Sequence, residues 1–490
     1  MIRKLLVPNR GEIAVRIARA CREMDIEPVL AFSESDDTRY IRRFFAEAVS
    51  LGAGDARETY LDVAKVIDAA RKACADALHP GYGFLSERPE LAAACAEAGI
   101  VFVGPKASSI EAMGSKAEAR HLMQRLGVPV VPGYDGDDQA NETLTHEAAR
   151  VGFPLLVKAS AGGGGKGMKV VRAAAELASA IDSARREALK AFGDDRLLLE
   201  RYVEEPRHVE LQVFGDSRGT ILHLFERDCS IQRRHQKVIE ESPAPRYTPD
   251  LRQRMAAAAI AAARGVKYEN AGTVEFLLTP EGEFYFLEMN TRLQVEHPVT
   301  ELVLGIDLVR AQIAVASGRP LPWSQSDLAQ RGHAIEVRVY AEEPDDRFLP
   351  QSGALAVYAE PSGPGVRVDA GVASGSEIGV RFDPMLAKLI CHAEDRAACI
   401  ARLDRALRDY VILGTKTNLS YLRRIIAQPA FHEGRVSTRF LADHEEALRR
   451  HVPDVAAEIA AVLASTPRKA TPVRTGGVPS VWDAIGSWGR

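Results

Sequence analysis

Two glutamates are spaced so that they could share a metal ion. If Val274–Leu278 and Glu283–Met289 form a hairpin closed by a two-residue loop, Glu275 lies directly opposite Glu288. Opposed side chains lie roughly 5 Å apart on one face of a sheet, where like charges repel. Asn290 follows on the same face, and three oxygen ligands suit Mg²⁺. The spacing predicts a magnesium site; the alternative is a solvated strand face, where two glutamates are ordinary.

The same strand continues as a row of polar residues. Phe284 and Phe286 share the predicted face of Glu288 and indicate that this face is partly buried. If the strand stays extended, its polar face carries Glu288, Asn290, Arg292, Gln294 and Glu296. Arg292 offers a planar fork for a small oxyanion, and Glu296 offers a base close to it. An ion-paired structural row explains the alternation too, but not the absence of Ser, Thr and Lys from that face.

A glycine-rich segment, Ala161–Met168, lies between two strand-like stretches and formally matches GxGxxG. A dinucleotide fingerprint requires a helix directly after the glycines, whereas the residues that follow resemble a strand. The segment also departs from the P-loop pattern GxxxxGK[ST]. It predicts a hairpin tip whose backbone N–H groups close over phosphates, with charge from Lys158 and Lys166. The alternative is a surface turn.

A dense cationic turn, Gln232–Lys237, is a further chemical signal. A basic hexamer is usually a solvated face. Beside a phosphate-closing loop and a metal pair, it becomes a candidate clamp for polyphosphate.

The elements that would position these residues fall into three blocks of an α/β and α+β chain. Up to about residue 114, short apolar strands alternate with helical patterns, which predicts a doubly wound parallel sheet. The predicted strands are Lys4–Val7, Pro28–Phe32, Ala48–Leu51, Ala77–His79 and Ile100–Val103, and the helices are Ile13–Met24, Tyr60–Lys72 and Pro89–Ala98. β-rich segments follow over 115–330. The third block, 331–443, opens with the strand His333–Tyr340 and ends in helices at Arg396–Tyr410 and Ser420–Ile426.

Composition excludes several classes of protein. With 490 residues, 46% apolar and 27% charged, the chain is typical of a globular protein. Its 63 Lys+Arg and 67 Asp+Glu give a net charge of −4, without the basic excess of nucleic-acid binders. The six cysteines form no CxxC pair. No apolar run approaches the roughly 18 residues of a membrane helix, and the N-terminus lacks a signal peptide. We expect a cytoplasmic enzyme that binds neither nucleic acid nor membrane.

Five motifs resemble the biotin carboxylase family of ATP-grasp ligases. They are Asn9-Arg-Gly-Glu-Ile-Ala, His79-Pro-Gly-Tyr-Gly-Phe-Leu-Ser-Glu87, the Gly162–Met168 loop, Glu226–Lys237 and Glu288–Pro298. The match runs in order from residue 1 to about 443. The resemblance implies a Rossmann-like N-terminal domain (1–114) and a central ATP-grasp domain (115–330) with a glycine-rich lid at about 131–203. It also implies a β-rich C-terminal domain (331–443), followed by a tail at 444–490.

The resemblance further implies a reaction. ATP and bicarbonate give carboxyphosphate, and the carboxyl group moves to biotin on a carrier protein. The implied ATP contacts are Lys116, Lys158, Gly164, Gly165, Lys166, Glu200, Tyr202, Val203, His208, Gln232, His235, Glu275 and Glu288. Mg²⁺ or Mn²⁺ is held by Glu275, Glu288 and Asn290. Bicarbonate is surrounded by Lys237, Arg292, Gln294, Val295 and Glu296, with Glu296 as the base. Biotin contacts Arg338, which stabilises its ureido oxygen, and Tyr82 and Gly83.

The implied partners are a biotin carboxyl carrier protein, carboxyltransferase subunits and a second copy of the chain in a homodimer. No Met-Lys-Met hairpin that would carry biotin occurs, so we expect the carrier to be a separate protein. The tail is expected to dock on a partner through Trp482 and Trp488. The final acceptor stays open between acetyl-CoA, as in fatty acid biosynthesis, another acyl-CoA, and pyruvate in a two-subunit pyruvate carboxylase.

Two other functions remain as alternatives. One is another ATP-grasp ligase that activates a carboxylate, such as a carbamoyl-phosphate or amino-acid ligase; Glu296 together with Arg338 favours bicarbonate and biotin. The other is a non-catalytic nucleotide-binding subunit, against which the intact residues Glu275, Glu288, Lys237, Arg292 and Glu296 argue.

Overall fold

The computed structural model of the chain describes residues 2–160, 168–234 and 236–449, apart from the side chains of residues 191 and 192. Four predicted site residues lie outside this part of the chain: Gly164, Gly165, Lys166 and His235. The predicted docking residues Trp482 and Trp488 also lie outside it. Within the described residues, no helix combines the length and the apolar character needed to span a bilayer.

The N-terminal block contains a five-stranded parallel sheet, as predicted. Its elements are β1 (Lys4–Val7), α1 (Gly11–Glu23), β2 (Glu27–Phe32), β3 (Glu47–Ser50), α2 (Val63–Lys72), β4 (Ala77–Leu78), α3 (Pro89–Glu97) and β5 (Val101–Phe102), with strand order β3-β2-β1-β4-β5. Leu5 and Val7 pack with α1, whereas Leu6 between them packs with α2 and α3. Both faces of the sheet are therefore covered, which is the doubly wound arrangement.

Helix α2 begins three residues later than predicted. The Asp62 carboxylate accepts the backbone N–H of Lys65 at 3.0 Å and so caps the helix. The prediction placed the start at Tyr60 and was wrong there, because apolar spacing locates a helix better than it locates its first residue.

A four-stranded antiparallel sheet lies between residues 133 and 201. The elements of this part are α4 (Ala107–Gly114), α5 (Lys116–Arg125), β6 (Gly133–Tyr134), α6 (Asn141–Val151), β7 (Leu155–Ala159), β8 (Lys169–Val171), α7 (Ala174–Phe192) and β9 (Leu197–Arg201), with strand order β6-β9-β7-β8. Leu144 of α6 and Ile181 of α7 pack on Leu155 and Leu199 of the sheet. Strands β7 and β8, on either side of the glycine-rich segment, pair as predicted.

The largest sheet has eight antiparallel strands and carries most of the predicted site. Its eight strands are among those that follow β9 in the chain. These strands are β10 (Arg207–Gly215), β11 (Ile221–Arg233), β12 (Gln236–Ser242), β13 (Asn270–Leu278), β14 (Phe284–Asn290), β15 (His333–Tyr340), β16 (Glu342–Glu343), β17 (Leu349–Pro350), β18 (Gly353–Ala354), β19 (Val357–Ala359), β20 (Val366–Ala370), β21 (Glu377–Ile378), β22 (Met385–Ala393) and β23 (Val411–Leu413). The sheet runs β14-β13-β10-β11-β12-β15-β22-β20 and continues without a break across residue 330. The predicted central and C-terminal domains therefore share one sheet.

The hairpin of β13 and β14 has a different strand pairing near its loop from the predicted one. Leu278 pairs with Phe284, so the loop is longer than the predicted two residues. A register shift farther along then places Glu275 opposite Glu288, as predicted. Phe284 and Phe286 pack in the hydrophobic core, and the prediction that they share the face of Glu288 was wrong. An extra residue in one strand reverses which face its side chains occupy.

Helices cover both sides of the central strands. They are α8 (Pro249–Gly265), α9 (His297–Leu304), α10 (Leu308–Ala316), α11 (Arg396–Asp409), α12 (Leu419–Ile426), α13 (Pro429–His432), α14 (Phe440–Asp443) and α15 (Glu445–Leu448). Val337 and Leu389 pack against Leu403 of α11 and Leu422 of α12. The alternate residues of β15 and β22 point to the opposite face, which is buried as well and is lined by charged side chains.

Candidate active site

Lys237 on β12 lies at the centre of the predicted site. Its Nζ atom donates to Glu210 at 2.6 Å, to Glu275 at 2.9 Å and to Glu296 at 2.5 Å. These carboxylates belong to β10, β13 and the residue before α9, so one ammonium group joins three elements. Burial alone would lower the pKa of Lys237, but its negative neighbours outweigh burial and raise this pKa well above its usual value. Lys237 is therefore charged.

Glu296 is held between two cations. Lys237 contacts one of its oxygens, and the Arg338 guanidinium donates to the other at 3.1 Å. Arg338 also donates from Nε to Glu240 at 2.6 Å. Burial opposes ionisation of Glu296, but Lys237 and Arg338 outweigh it and lower the pKa of the carboxyl. Glu296 is an ionised, oriented carboxylate.

Glu275 and Glu288 face each other but have different surroundings. Glu275 is buried, and its Oε2 atom lies 2.9 Å from Nε2 of His208. Burial is outweighed by Lys237 and His208, which hold the pKa of Glu275 well below its usual range. The Glu288 side chain is 43% exposed, with Lys116 Nζ 3.9 Å away. Partial burial and the facing carboxylate raise the pKa of Glu288. This arrangement leaves room for a cation on the Glu288 side.

Two other groups of potential metal ligands occur among the described residues. They are His208, Glu210 and Glu275, and Glu210, Cys229 and Glu296, each with its ligand atoms within 4.8 Å. The Lys237 ammonium group contacts carboxylates of both groups and supplies the positive charge that an ion would bring. The oxygens at Glu288 are the better place for a divalent cation.

The prediction that the chain stays extended from Glu288 to Glu296 was wrong. Strand β14 ends at Asn290, and Glu296 is the residue that precedes α9. Pro298 lies in the first turn of that helix, where a missing N–H costs no hydrogen bond, and does not end a strand as predicted. The polar side chains still converge, because they project from an irregular segment into the same space.

Three of these side chains bind one another and their neighbours. The Arg292 guanidinium donates to Glu87 at 2.9 Å and to the Asn290 side chain at 3.0 Å. The Gln294 amide and the Asn290 amide both donate to Glu275, at 2.7 and 2.8 Å. Apart from Glu288 and Val295, the predicted metal and bicarbonate residues therefore form one continuous polar network.

Arg227 underlies this network and is fully buried. Its guanidinium donates to Glu210 at 2.6 Å and to Gln294 at 2.7 Å. The same group donates to Gln212, Thr273 and Thr300. All five donors of an arginine fork are thus used to hold strands β10 and β13, helix α9 and the Gln294 side chain in one geometry.

The predicted nucleotide contacts lie in two places. On the small sheet, Lys158 and Glu200 form an ion pair at 2.5 Å, and Tyr202 and Val203 follow β9 directly. On the large sheet, Gln232 pairs with Lys237 across β11 and β12, and His208 and Lys116 approach the two glutamates as described. A phosphate that binds Lys158 has to compete with Glu200.

The predicted biotin residues are linked through Lys388. Arg338 on β15 lies directly opposite Lys388 on β22, and Lys388 Nζ is 5.9 Å from the centre of the Tyr82 ring. The Tyr82 hydroxyl is buried and has no hydrogen-bond partner among the described residues. Gly83 adopts φ +69°, which favours glycine.

Sequence reasoning missed four residues of the site: Glu87, Glu210, Arg227 and Glu240. Glu87 ends a quoted motif, and Glu210 alternates with His208 on one strand, so a test of every acid on that face would have found Glu210. Arg227 also lies in a quoted motif, Glu226–Lys237. Glu240 gave no comparable signal, because a charge inside an apolar strand reveals its partner only when the sheet is assembled.

Comparison with known families matches most of the chain. Residues 1–110 match the biotin carboxylase N-terminal domain, 115–324 the ATP binding domain of the carbamoyl-phosphate synthase L chain, and 336–443 the biotin carboxylase C-terminal domain.

Individual proteins are similar over the same range. The mitochondrial methylcrotonoyl-CoA carboxylase subunit alpha of Mus musculus is 46% identical over 448 residues, which cover 91% of this chain and 62% of the mouse protein. This chain therefore spans about three-fifths of that relative. The biotin carboxylase of Halalkalibacterium halodurans is 47% identical over 91% of this chain and 98% of its own length.

A solved structure agrees in fold. The biotin carboxylase domain dimer of Hydrogenobacter thermophilus 2-oxoglutarate carboxylase, in complex with MgADP, ADP and bicarbonate, has a TM-score of 0.87 and 42% identity. The match covers 92% of this chain and 99% of that one.

Proposed function

The chain belongs to the biotin carboxylase family, and from this we propose that it carboxylates biotin with ATP and bicarbonate. The observation that carries the proposal is Glu296, whose carboxylate is bound by both Lys237 and Arg338. The contact supports a role for Glu296 as a base, with Lys237 as a cation for bicarbonate and Arg338 as a cation for a developing oxyanion. The bicarbonate and MgADP of the related H. thermophilus domain support the same substrates here.

We assign to Glu296 the removal of the bicarbonate proton. Its carboxylate is ionised because the neighbouring cations outweigh burial, so it can accept a proton. A carboxylate with a lowered pKa is a weak base, and Lys237 and Arg292 compensate by lowering the pKa of the bound bicarbonate. The deprotonated oxygen attacks the γ-phosphorus of ATP, the bond to ADP breaks, and carboxyphosphate forms. Gln294 and the backbone of Val295 complete this pocket.

Glu275, Glu288 and Asn290 fit a Mg²⁺ or Mn²⁺ ion that enters with ATP. Their oxygen donors and the exposed Glu288 carboxylate suit a hard cation. When bound, the ion would neutralise charge on the transferring phosphoryl group. Around the nucleotide we place the other predicted contacts of the large and small sheets: Lys116, Lys158, Glu200, Tyr202, Val203, His208 and Gln232, with Gly164, Gly165, Lys166 and His235.

Arg338 is proposed to stabilise biotin as it reacts. The ureido nitrogen of biotin is a poor nucleophile until negative charge develops on the ureido oxygen, and a guanidinium beside that oxygen stabilises it by about 3 kcal/mol. Tyr82 and Gly83 border the same space. Because Arg338 also binds Glu296, the proposed formation of carboxyphosphate and the proposed carboxylation of biotin share a contact.

The proposed partners follow from the family. We propose a separate biotin carboxyl carrier protein, carboxyltransferase subunits and a homodimer like the H. thermophilus domain dimer. The cytoplasmic location stays a proposal from the sequence alone. The proposed domain boundaries remain 114, 330 and 443, with the tail as a docking segment. Since the final acceptor is chosen by the transferase, an acyl-CoA and pyruvate both remain candidates for it.

Steady-state ADP release tests the proposal. We expect release to require bicarbonate and to rise with free biotin. Glu296→Gln should lose both the bicarbonate-dependent ADP release and its rise with biotin. Arg338→Ala should lose the response to biotin and keep part of the bicarbonate-dependent release. Release that depends on another carboxylate and ignores biotin would indicate a different ATP-grasp ligase. No release under any condition would indicate a non-catalytic nucleotide-binding subunit.

A further inference from the structure

Lys388 is a fully buried cation that the proposed reaction does not use. It lies on β22, directly opposite Arg338 on β15 and Asp369 on β20. Its Nζ atom donates to the backbone carbonyl of Val295 at 2.7 Å. The same atom is 3.2 Å from the Glu12 carboxylate on α1 and 3.9 Å from Asp369. One ammonium group therefore joins the N-terminal block, the segment before α9 and two strands of the large sheet.

The segment that carries Glu296 depends on side chains for its shape. It leaves the sheet after Asn290 and enters α9 at His297, so it lies outside regular structure. The carbonyl of Gln294 accepts a hydrogen bond from Nδ1 of His297 at 2.8 Å, and the next carbonyl, that of Val295, accepts the bond from Lys388. Two consecutive carbonyls before Glu296 are thus held by buried side chains. Rotation of either peptide would move the Glu296 carboxylate.

We propose that Lys388 is a positioning residue of the bicarbonate pocket, which fixes the Val295–Glu296 peptide and through it the proposed base; this inference rests on the proposed function. Lys388 acts through the Val295 carbonyl and does not touch bicarbonate itself. A charged donor suits this role, because a hydrogen bond from an ammonium group is stronger than one from a neutral donor.

The charge of Lys388 has a second effect that the test must separate. Without it, Glu12 would be a buried carboxylate with no ion-pair partner, whereas Asp369 would keep Arg367 at 2.7 Å. Burial raises the pKa of Glu12 to about 7, and Lys388 opposes this shift. A loss of stability in Lys388→Met would therefore come chiefly from Glu12, with smaller contributions from Glu336 and Asp369. The double variant Glu12→Gln/Lys388→Met removes both charges, so it should fold while it still lacks the bond to Val295.

Steady-state kinetics on the full chain test the inference. In Lys388→Met and in the double variant we expect the KM for bicarbonate to rise about tenfold, from the loss of one charge-assisted hydrogen bond, with the KM for ATP almost unchanged. Arg16→Met is the matched control: it removes a different buried cation, on α1, which pairs with Glu301 and Asp307 at 2.8 Å. This control should lose stability and keep its KM for bicarbonate.

Amide hydrogen exchange supplies a readout that needs no activity. Peptides that span residues 291–299 should exchange faster in the double variant than in the wild type, and those of Arg16→Met should not. A double variant with unchanged KM for bicarbonate and unchanged exchange would overturn the role of Lys388. If the wild type shows no bicarbonate-dependent activity, the proposed function fails, and exchange alone decides whether Lys388 positions this segment.

Discussion

Two pairs of glutamates lie on adjacent strands of the large sheet, and their surroundings differ. Glu275 faces Glu288 across β13 and β14, and Glu240 faces Glu336 across β12 and β15. The Glu288 side chain is 43% exposed, whereas Glu240 and Glu336 are fully buried. We call the first the open pair and the second the closed pair. Like charges repel in both, so each needs a cation or a proton.

The two pairs meet this need in different ways. In the closed pair, burial raises the pKa of Glu240 to about 7 against the opposing effect of Arg338, and burial raises that of Glu336 well above its usual value. A proton therefore remains in the closed pair near neutral pH. In the open pair, Glu275 is ionised and Glu288 reaches solvent, so a metal ion can enter. The exposure of one carboxylate distinguishes the proposed metal site from the buried, protonated pair.

Lys237→Met should have the largest effect on the network beside the open pair. It leaves Glu210, Glu275 and Glu296 without their shared cation, and breaking a buried ion pair costs about 3–5 kcal/mol. Urea denaturation measures the free energy of unfolding. Lys116→Met, which loses only the half-exposed contact to Glu288, should cost less than about 1 kcal/mol. Equal losses in the two variants would contradict a central role for Lys237.

Glu288→Gln and Glu275→Gln should reduce turnover with Mg²⁺–ATP by at least about a hundredfold, because each removes a proposed ligand of the metal. Glu288→Gln should fold normally, and loss of the facing charge removes a repulsion. Titration of Mg²⁺ in an ADP-release assay measures the effect. Glu336→Gln, in the closed pair, is the control and should keep the wild-type Mg²⁺ dependence. Near-normal turnover in both open-pair variants would exclude the metal assignment.

Glu336→Gln should change the pH dependence of stability, the smallest of the three effects. The folded-state pKa of Glu336 is raised, so its contribution is fully present below the usual value of 4.5 and is lost as pH rises through the folded-state pKa. Glu336→Gln lacks this loss, so its free energy of unfolding should fall less steeply as pH rises. The slopes of the variant and the wild type should differ by at most about 1.4 kcal/mol per pH unit, the value for one proton. Denaturation at several pH values, with Glu23→Gln as the exposed control, measures the slope. Parallel curves for Glu336→Gln and the wild type would show that no proton is held there.

The sequence predicts the open pair better than the closed one. The doubly wound block and the opposition of Glu275 and Glu288 are confirmed, although the register shift that restores this pairing leaves no signal in the residue pattern. Glu296 and Arg292 reach the site from an irregular segment, where a strand had been predicted. That segment depends on Lys388, which is distant in sequence, and local spacing cannot reveal such a partner.

The closed pair could not be predicted, because the pattern of β15 is misleading. The alternating polar residues of His333–Tyr340 are typical of a strand with one face in solvent. In the structure every residue of this strand is buried, since α9 packs on the face of Ala334 and α11 packs on the face of Val337. The elements that pack on a strand, which depend on the whole chain, decide whether its polar face meets water or other charges.

Transfer of labelled carbon from bicarbonate to biotin tests the central claim most directly. The purified chain is incubated with radiolabelled bicarbonate, Mg²⁺, ATP and free biotin, and carboxylated biotin is isolated. The account predicts ATP-dependent labelling of biotin by the wild type, none by Glu296→Gln and almost none by Arg338→Ala. ATP hydrolysis by the wild type without label on biotin, or equal labelling by Glu296→Gln, would contradict it.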